Sequence, residues 1–194
     1  MANGETRFFI GQLLNKPGST GALLPSSGRL AARMIENARI QPDSVVAEYG
    51  PGTGAFTGPI LRELKPGQRF FAIEVNENFA GELEKRFPDL HVHRCCASGV
   101  ADCCRREGVD RVDRVVSGLP WAIFPDDLRD RILDAMLEVM PDGGVFVTFA
   151  YLHALLLPAA RRFRRALGSR FSRVESSKPV WLNLPPALVY RCVK

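Results

Sequence analysis

Between residues 45 and 193 short apolar runs alternate with stretches whose apolar residues recur at helical spacing. Residues 45–47, 70–75, 90–94, 111–117 and 145–150 have the length and apolar content of strands. Residues 56–64 and 79–87 fit helices, the first stopped by Pro66-Gly67. A third helix follows Asp126 or Asp127 as its cap, with Leu128, Ile132, Met136 and Met140 on one face. Pro141-Asp142-Gly143-Gly144 is a turn, residues 152–167 read as a helix, and 170–175 and 188–193 as two last strands. Ahead of this, residues 8–14 and 29–38 have helical spacing, the latter through Leu30, Met34 and Ile35. The alternation predicts an α/β protein with a doubly wound, mostly parallel sheet covered on both faces. The division expected is a helical extension over residues 1–40 and one domain over 41–194.

In an open parallel sheet, ligands bind beyond the carboxyl ends of the strands, so the loop after the first strand is the first place to look for chemistry. That loop is Gly50-Pro51-Gly52-Thr53-Gly54, preceded by Glu48, with a second acid, Glu74, closing the second strand. Gly50, Gly52 and Ala55 satisfy the dinucleotide spacing Gly-x-Gly-x-x-Gly/Ala. Glu48, however, would oppose a pyrophosphate. A carboxylate there suits S-adenosylmethionine, whose sulfonium and amino groups are cationic and which carries no phosphate. Gly54 adds the Gly-x-Gly-x-Gly form of methyltransferases, and Glu74 is placed to accept hydrogen bonds from ribose hydroxyls, a role both cofactor classes share. The methyltransferase reading is therefore preferred to the dehydrogenase one.

Composition narrows the setting. The 194 residues suit one domain, and a net charge of +5 favours anionic partners without choosing among them. Five cysteines, Cys95, Cys96, Cys103, Cys104 and Cys192, are an odd number with vicinal pairs rather than Cys-x-x-Cys spacing, which points to reduced thiols and no metal site. The first residues lack a basic run followed by a long apolar one, and the longest uncharged stretch, 143–160, is shorter than the ~20 residues a membrane helix needs and contains Pro158. A cytoplasmic protein, peripherally associated with the inner face of the membrane, is expected.

The run Val46-Ala47-Glu48-Tyr49-Gly50-Pro51-Gly52-Thr53-Gly54 resembles the first motif of class I methyltransferases. Three further segments resemble the bacterial phospholipid N-methyltransferases: Gly21-Ala22-Leu23-Leu24-Pro25-Ser26-Ser27, Ser117-Gly118-Leu119-Pro120, and Asn183-Leu184-Pro185-Pro186-Ala187. The resemblance implies a Rossmann-like seven-stranded class I methyltransferase sheet and transfer of methyl groups from S-adenosylmethionine to phosphatidylethanolamine and its methylated intermediates, toward phosphatidylcholine. It implies cofactor contacts at Thr20, Gly21, Glu48, Gly50, Pro51, Gly52, Thr53, Gly54, Glu74, Val75, Ser98 and Ser117. That family is similar to the ribosomal RNA adenine dimethylases, the alternative reading. Those enzymes carry Asn-Leu-Pro and an aromatic residue after the fourth strand, where this chain has Gly118-Leu119-Pro120-Trp121. The asparagine amide is absent, and a chain ending at Lys194 leaves no room for their helical RNA-binding domain. A non-catalytic lipid- or RNA-binding module on the same fold is the remaining alternative. Where related enzymes read the adenine amino group with an acid, this chain has Arg94-Cys95-Cys96-Ala97-Ser98, leaving Ser98, a backbone carbonyl or Asp102 as substitutes.

Methylation of nitrogen requires a neutral amine. With a pKa near ~10, an ethanolamine ammonium must give up about 4 kcal/mol to be neutral at pH 7. Candidate groups for holding and desolvating it are the carbonyls of Ser117, Gly118 and Leu119, then Tyr151 after the fifth strand, and His153 as a base. Trp121 is a candidate to close over a cationic headgroup, whereas His91 and His93 read as structural. For the membrane, Arg161, Arg162, Arg164, Arg165, Arg170 and Arg173 stand in a segment with no acid from His153 to Val174 and predict up to ~6 kcal/mol of attraction to an anionic surface. The segment from Phe8 to Leu14 is the expected interfacial anchor. Nucleic acid is the less favoured partner, because stacking aromatics are few among these arginines.

Overall fold

The computed structural model describes residues 27–194. The expectations placed on residues 8–14, Thr20 and Gly21 lie outside the described residues. Seven strands form one sheet: β1 (Val46–Tyr49), β2 (Phe70–Ile73), β3 (His91–His93), β4 (Arg114–Ser117), β5 (Val145–Tyr151), β6 (Arg173–Ser176) and β7 (Ala187–Val193). Among the described residues six α-helices accompany them: α1 (Gly28–Ala38), α2 (Thr57–Glu63), α3 (Glu77–Arg86), α4 (Val100–Glu107), α5 (Asp126–Val139) and α6 (Pro158–Gly168). The strand order is β3-β2-β1-β4-β5-β7-β6. The first five strands pair in parallel, while β7 runs antiparallel between β5 and β6. The winding direction reverses between β1 and β4, which is where such sheets open a crevice for ligands.

Both faces of the sheet are covered, so its central strands are apolar at nearly every position. Val46, Val116, Val147 and Val189 turn to one face and pack with Leu30, Met34 and Ile35 of α1. Ala47, Phe71, Val115 and Phe146 turn to the other and meet α4, α5 and α6 through Val100, Ile132, Met136 and Phe163. Helix α1 is therefore bound into the core, and it is capped by Ser27, whose hydroxyl accepts the Leu30 N–H at 3.2 Å.

Several boundaries differ from the sequence reading, each for a local reason. Helix α5 has Pro125 at its cap position, with Asp126 and Asp127 inside the first turn. The Asp126 carboxylate is drawn instead to Arg129 at 2.6 Å and Arg162 at 3.3 Å. Residues 152–167 are not one helix. A short 3-10 turn, Leu152–Ala154, is followed by a break, and α6 starts at Pro158. Proline lacks an N–H and its ring clashes with the preceding turn, so it begins a helix rather than continuing one. The N–H groups of Arg170 and Phe171 still reach back to the Leu167 carbonyl at 3.2 and 3.0 Å, delaying β6 to Arg173. The sequence reading has no counterpart to helix α4. Its buried residues Val100, Cys103 and Cys104 do have helical spacing, but two of them are cysteines, and it ends at Gly108 in a left-handed turn.

Candidate active site

The chain leaves β1 through three glycines with left-handed backbone, Gly50 (φ 63°), Gly52 (φ 54°) and Gly54 (φ 80°), which side chains disfavour. The turn is pinned on both sides. Gly50 donates its N–H to the Ile73 carbonyl at 2.9 Å, and Gly54 donates to Pro51 at 2.9 Å. The loop after β4 closes against it, Gly118 donating to the Tyr49 carbonyl at 2.8 Å. A Cβ on Gly118 would stand 2.6 Å from the Gly50 carbonyl oxygen, and one on Gly50 would stand 2.5 Å from Leu119 Cδ2. Gly118 needs glycine because it meets the backbone of the adjacent loop at the switch point, and Gly50 because its backbone is left-handed and the Leu119 side chain packs over it.

Glu74 leaves β2 facing this turn. One carboxylate oxygen accepts the Gly52 N–H at 3.1 Å and the other the Asn76 N–H at 2.8 Å. The residue is 3% exposed, and burial raises its pKa against the pull of those backbone bonds. A carboxylate held by two N–H groups retains acceptor capacity for hydroxyls. Glu48 is fully buried beneath the loop. Its Oε2 accepts the Thr57 hydroxyl at 2.7 Å, while Oε1 has no hydrogen-bond partner. Burial pushes its pKa up to about 8, opposed by the Thr57 bond and reinforced by the charge of Glu74. An acid with an orphaned buried oxygen, on the strand that leads into the glycine loop, fits a positively charged ligand group.

Beside Glu74 lies a cavity of about 20 Å³, walled by Val75, Cys95, Cys96, Ala97, Leu119, Phe124 and Ile132 together with Gly50 and Ile73. Its walls must part to admit a purine. The sequence reading gives Phe124 no role and Ile132 only a place on a helix face, since nothing in their spacing separates pocket lining from core. Ser98 does not line the cavity, and its hydroxyl donates to Cys96 Sγ at 3.2 Å. Asp102 points away and pairs with Arg105 on the surface of α4. Thr53 offers its carbonyl to Arg86 at 3.2 Å, and Pro51 is buried in the loop. A larger depression of about 810 Å³ opens between α1 and α2, touching the loop at Thr53, Gly54 and Ala55, and neither Glu74 nor the β4 loop lines it.

At the β4 loop, the Ser117 hydroxyl is committed to structure, accepting the Leu119 N–H at 3.2 Å and Trp121 Nε1–H at 3.0 Å. The Leu119 carbonyl accepts the Trp121 N–H at 3.0 Å. Trp121 is 3% exposed, stacked on Phe163 at 5.4 Å and edge-on to Phe146 at 5.6 Å. It is a core side chain and cannot close over a headgroup, because its ring is already sandwiched under α6. Tyr151 ends β5 half-buried, its pKa raised by burial, with the exposed His153 ring stacked on it at 5.7 Å. These two share the rim with the 118–120 loop. His91 and His93 instead bind the Glu107 carboxylate at 2.9 and 2.7 Å. Among the described residues there is no group of His, Cys, Asp and Glu that could hold a metal, and no helix long and apolar enough to cross a membrane.

The six arginines of the basic segment are not equivalent. Arg162 pairs with Asp126 at 3.3 Å, Arg170 with Asp134 at 2.7 Å, and Arg173 with Glu175. Acids from α5 neutralise part of a segment that is acid-free in sequence.

No protein-family model matches the chain. It is 28% identical over 187 residues to the ornithine lipid N-methyltransferase of Singulisphaera acidiphila, covering 95% of this chain and 93% of that protein. It is 31% identical over 110 residues to the ribosomal RNA small subunit methyltransferase A of Cupriavidus metallidurans, covering 52% of this chain and spanning 38% of that protein's length. Its fold matches the N-methyltransferase NodS from Bradyrhizobium japonicum in complex with S-adenosyl-L-homocysteine, with a TM-score of 0.64 at 14% identity, over 94% of this chain and 90% of that one. The chain carries the fold of the class I methyltransferases, which take S-adenosylmethionine as cofactor.

Proposed function

We propose that the chain methylates the primary amine of a membrane lipid headgroup, with phosphatidylethanolamine as the substrate and S-adenosylmethionine as donor. When bound, the cofactor supplies an electrophilic methyl group. The chain's residues hold its ends: Glu74 accepts the ribose hydroxyls and Glu48 faces its cationic portion, while Cys95, Cys96 and Ala97 flank the base. The acceptor amine enters over the 117–119 loop beside Tyr151 and His153. There the Gly118 carbonyl would hold an amine N–H, and the imidazole of His153, exposed and stacked on Tyr151, would take a proton.

The observation that carries the lipid reading is the Gly118–Gly50 contact. A Cβ at residue 118 would stand 2.6 Å from a backbone oxygen, so no side-chain amide can be presented there to an adenine without moving the cofactor loop. Similarity to a lipid N-methyltransferase over nearly the whole of both chains supports the same reading. The likeness to ribosomal RNA methyltransferases keeps adenine as the second reading. Purified protein given labelled S-adenosylmethionine, phosphatidylethanolamine, ornithine lipid and ribosomal RNA side by side is expected to label phosphatidylethanolamine. The first methylation should accelerate about tenfold per pH unit below the amine pKa while chemistry limits the rate. Label confined to ornithine lipid would correct the headgroup, and label confined to RNA would overturn the lipid reading.

A further inference from the structure

Large apolar side chains that stay exposed are concentrated at one place. Among the described residues, Leu156 and Leu157 are 76% and 54% exposed, and Trp181, Leu182 and Leu184 are 67–69% exposed. The first pair follows the 3-10 turn after β5, and the other three lie in the connection from β6 to β7. Tyr151 at the end of β5 pairs with Ala187 at the start of β7, and the Leu152 N–H donates to the Pro186 carbonyl at 2.9 Å. Both loops therefore stand on the rim of the sheet where the β4 and β5 loops open. The 181–184 loop inverts the usual pattern. Its polar residue, Asn183, is 2% exposed, accepting the Ser27 N–H at 3.0 Å and donating to the Pro185 carbonyl at 2.6 Å, while its apolar neighbours face outward. The loop is braced from within to present Trp181, Leu182 and Leu184.

Behind these loops runs a groove of about 650 Å³ between the first turns of α6 and the β6–β7 edge. Leu155, Leu188 and Tyr190 line its apolar part, and Arg161, Arg164 and Arg165 its basic part. These are the arginines that α5 and β6 do not neutralise. Arg164 lies over the Tyr190 ring at 5.7 Å, and Arg161 and Arg165 form no ion pair among the described residues. Apolar tips with an indole beside unneutralised arginines match a bilayer interface: acyl chains take the leucines, the headgroup layer takes the tryptophan, and lipid phosphates take the guanidiniums.

We infer that the Leu156-Leu157 and Trp181–Leu184 loops, with the Arg161/Arg164/Arg165 groove behind them, form the surface by which this chain docks on an anionic bilayer, rim first, so that the site opens toward the lipid headgroups. This inference rests on the lipid reading of the function and deepens it.

Three full-length variants and two vesicle types test it. On vesicles of phosphatidylcholine with phosphatidylglycerol, Arg161→Ala/Arg165→Ala is expected to bind about 30-fold more weakly than wild type, two basic contacts being lost. Arg162→Ala/Arg173→Ala, which removes arginines already paired with acids, stays within about twofold. Trp181→Ser/Leu182→Ser/Leu184→Ser loses binding to that mixture and to phosphatidylcholine alone, while S-adenosylhomocysteine binding is retained as the check on folding. Trp121 is buried, so a blue shift of tryptophan emission on adding vesicles reports Trp181. Equal losses in the two arginine pairs, an unaffected triple variant, or vesicle binding with no blue shift would each overturn the surface, the last placing the contact elsewhere in the chain. The function is read separately. The triple variant still methylates detergent-solubilised aminolipid, whereas a wild type that docks on vesicles yet labels no lipid amine would sink the lipid reading and leave the surface standing.

Discussion

The Gly118→Ala variant is expected to melt about 5–10 °C below the wild type and to bind S-adenosylhomocysteine more than tenfold more weakly. The added methyl group meets the Gly50 carbonyl oxygen at 2.6 Å, a backbone atom that cannot swing aside as a side chain can. Overpacking of this kind costs about 1–3 kcal/mol, and in a domain of this size each kcal/mol moves the midpoint by about 2–4 °C. The displaced residue is the first of the cofactor loop, so affinity falls with stability. Gly52→Ala provides the contrast. Its Cβ would meet nothing within 4 Å, and the penalty is the left-handed φ of 54° alone, about 1 kcal/mol. That variant should melt about 3 °C lower yet lose cofactor affinity as severely, because the open space over Gly52 beside Glu74 is the space the ligand needs. Calorimetry and thermal melts on both variants check this. A Gly118→Ala protein with wild-type melting would show that the two loops do not depend on their contact.

The second large effect comes from Glu48. Its pKa stands near 8 in the folded chain against 4.5 for the free side chain. The folded state thus holds a proton that the unfolded state releases, and ligand-free stability is full below about pH 4.5 and declines as pH rises toward 8. The decline attributable to this group is of order 4 kcal/mol. Glu48→Gln keeps an acceptor for the Thr57 hydroxyl without the charge. It should therefore be more stable than wild type at about pH 8, with a flatter stability profile. Cofactor binding runs the other way. A cationic ligand favours the ionised form, so wild-type affinity rises from about pH 6 to 8 with proton release, while Glu48→Gln binds weakly and without that dependence. Denaturant melts and titrations in buffers of different ionisation enthalpy measure both. Coincident stability profiles for the two proteins across this range would refute the role given to Glu48.

How much of this was legible beforehand follows from what each signal depends on. The strand and helix alternation shows because burial on both sheet faces forces apolar runs in β1, β2, β4 and β5. The Gly50–Gly54 loop and its acids show because left-handed turns need glycine and a cation needs a carboxylate. What depends on chain segments distant in sequence does not show. The partner of Glu48 is a threonine on the next helix, the reason for Gly118 is an oxygen on the loop after β1, and Trp121 is buried by Phe163 of α6. The arginines illustrate this best. In sequence they form a single acid-free block, but Asp126, Asp134 and Glu175 divide them into neutralised and unneutralised sets. The five exposed apolar residues on the rim look in sequence like any other loop leucines and tryptophan, because exposure is a property of packing.

The proposed chemistry requires the cofactor to lie between the glycine loop and Glu74, and titration calorimetry with S-adenosylhomocysteine tests that directly. The Glu74→Ala change removes a carboxylate positioned to take two hydroxyls through charge-assisted bonds worth about 1.5–3 kcal/mol each. The wild type should bind, and Glu74→Ala, with unchanged circular dichroism, should bind about 100-fold more weakly. Equal affinity in the two proteins would place the cofactor elsewhere and contradict the account.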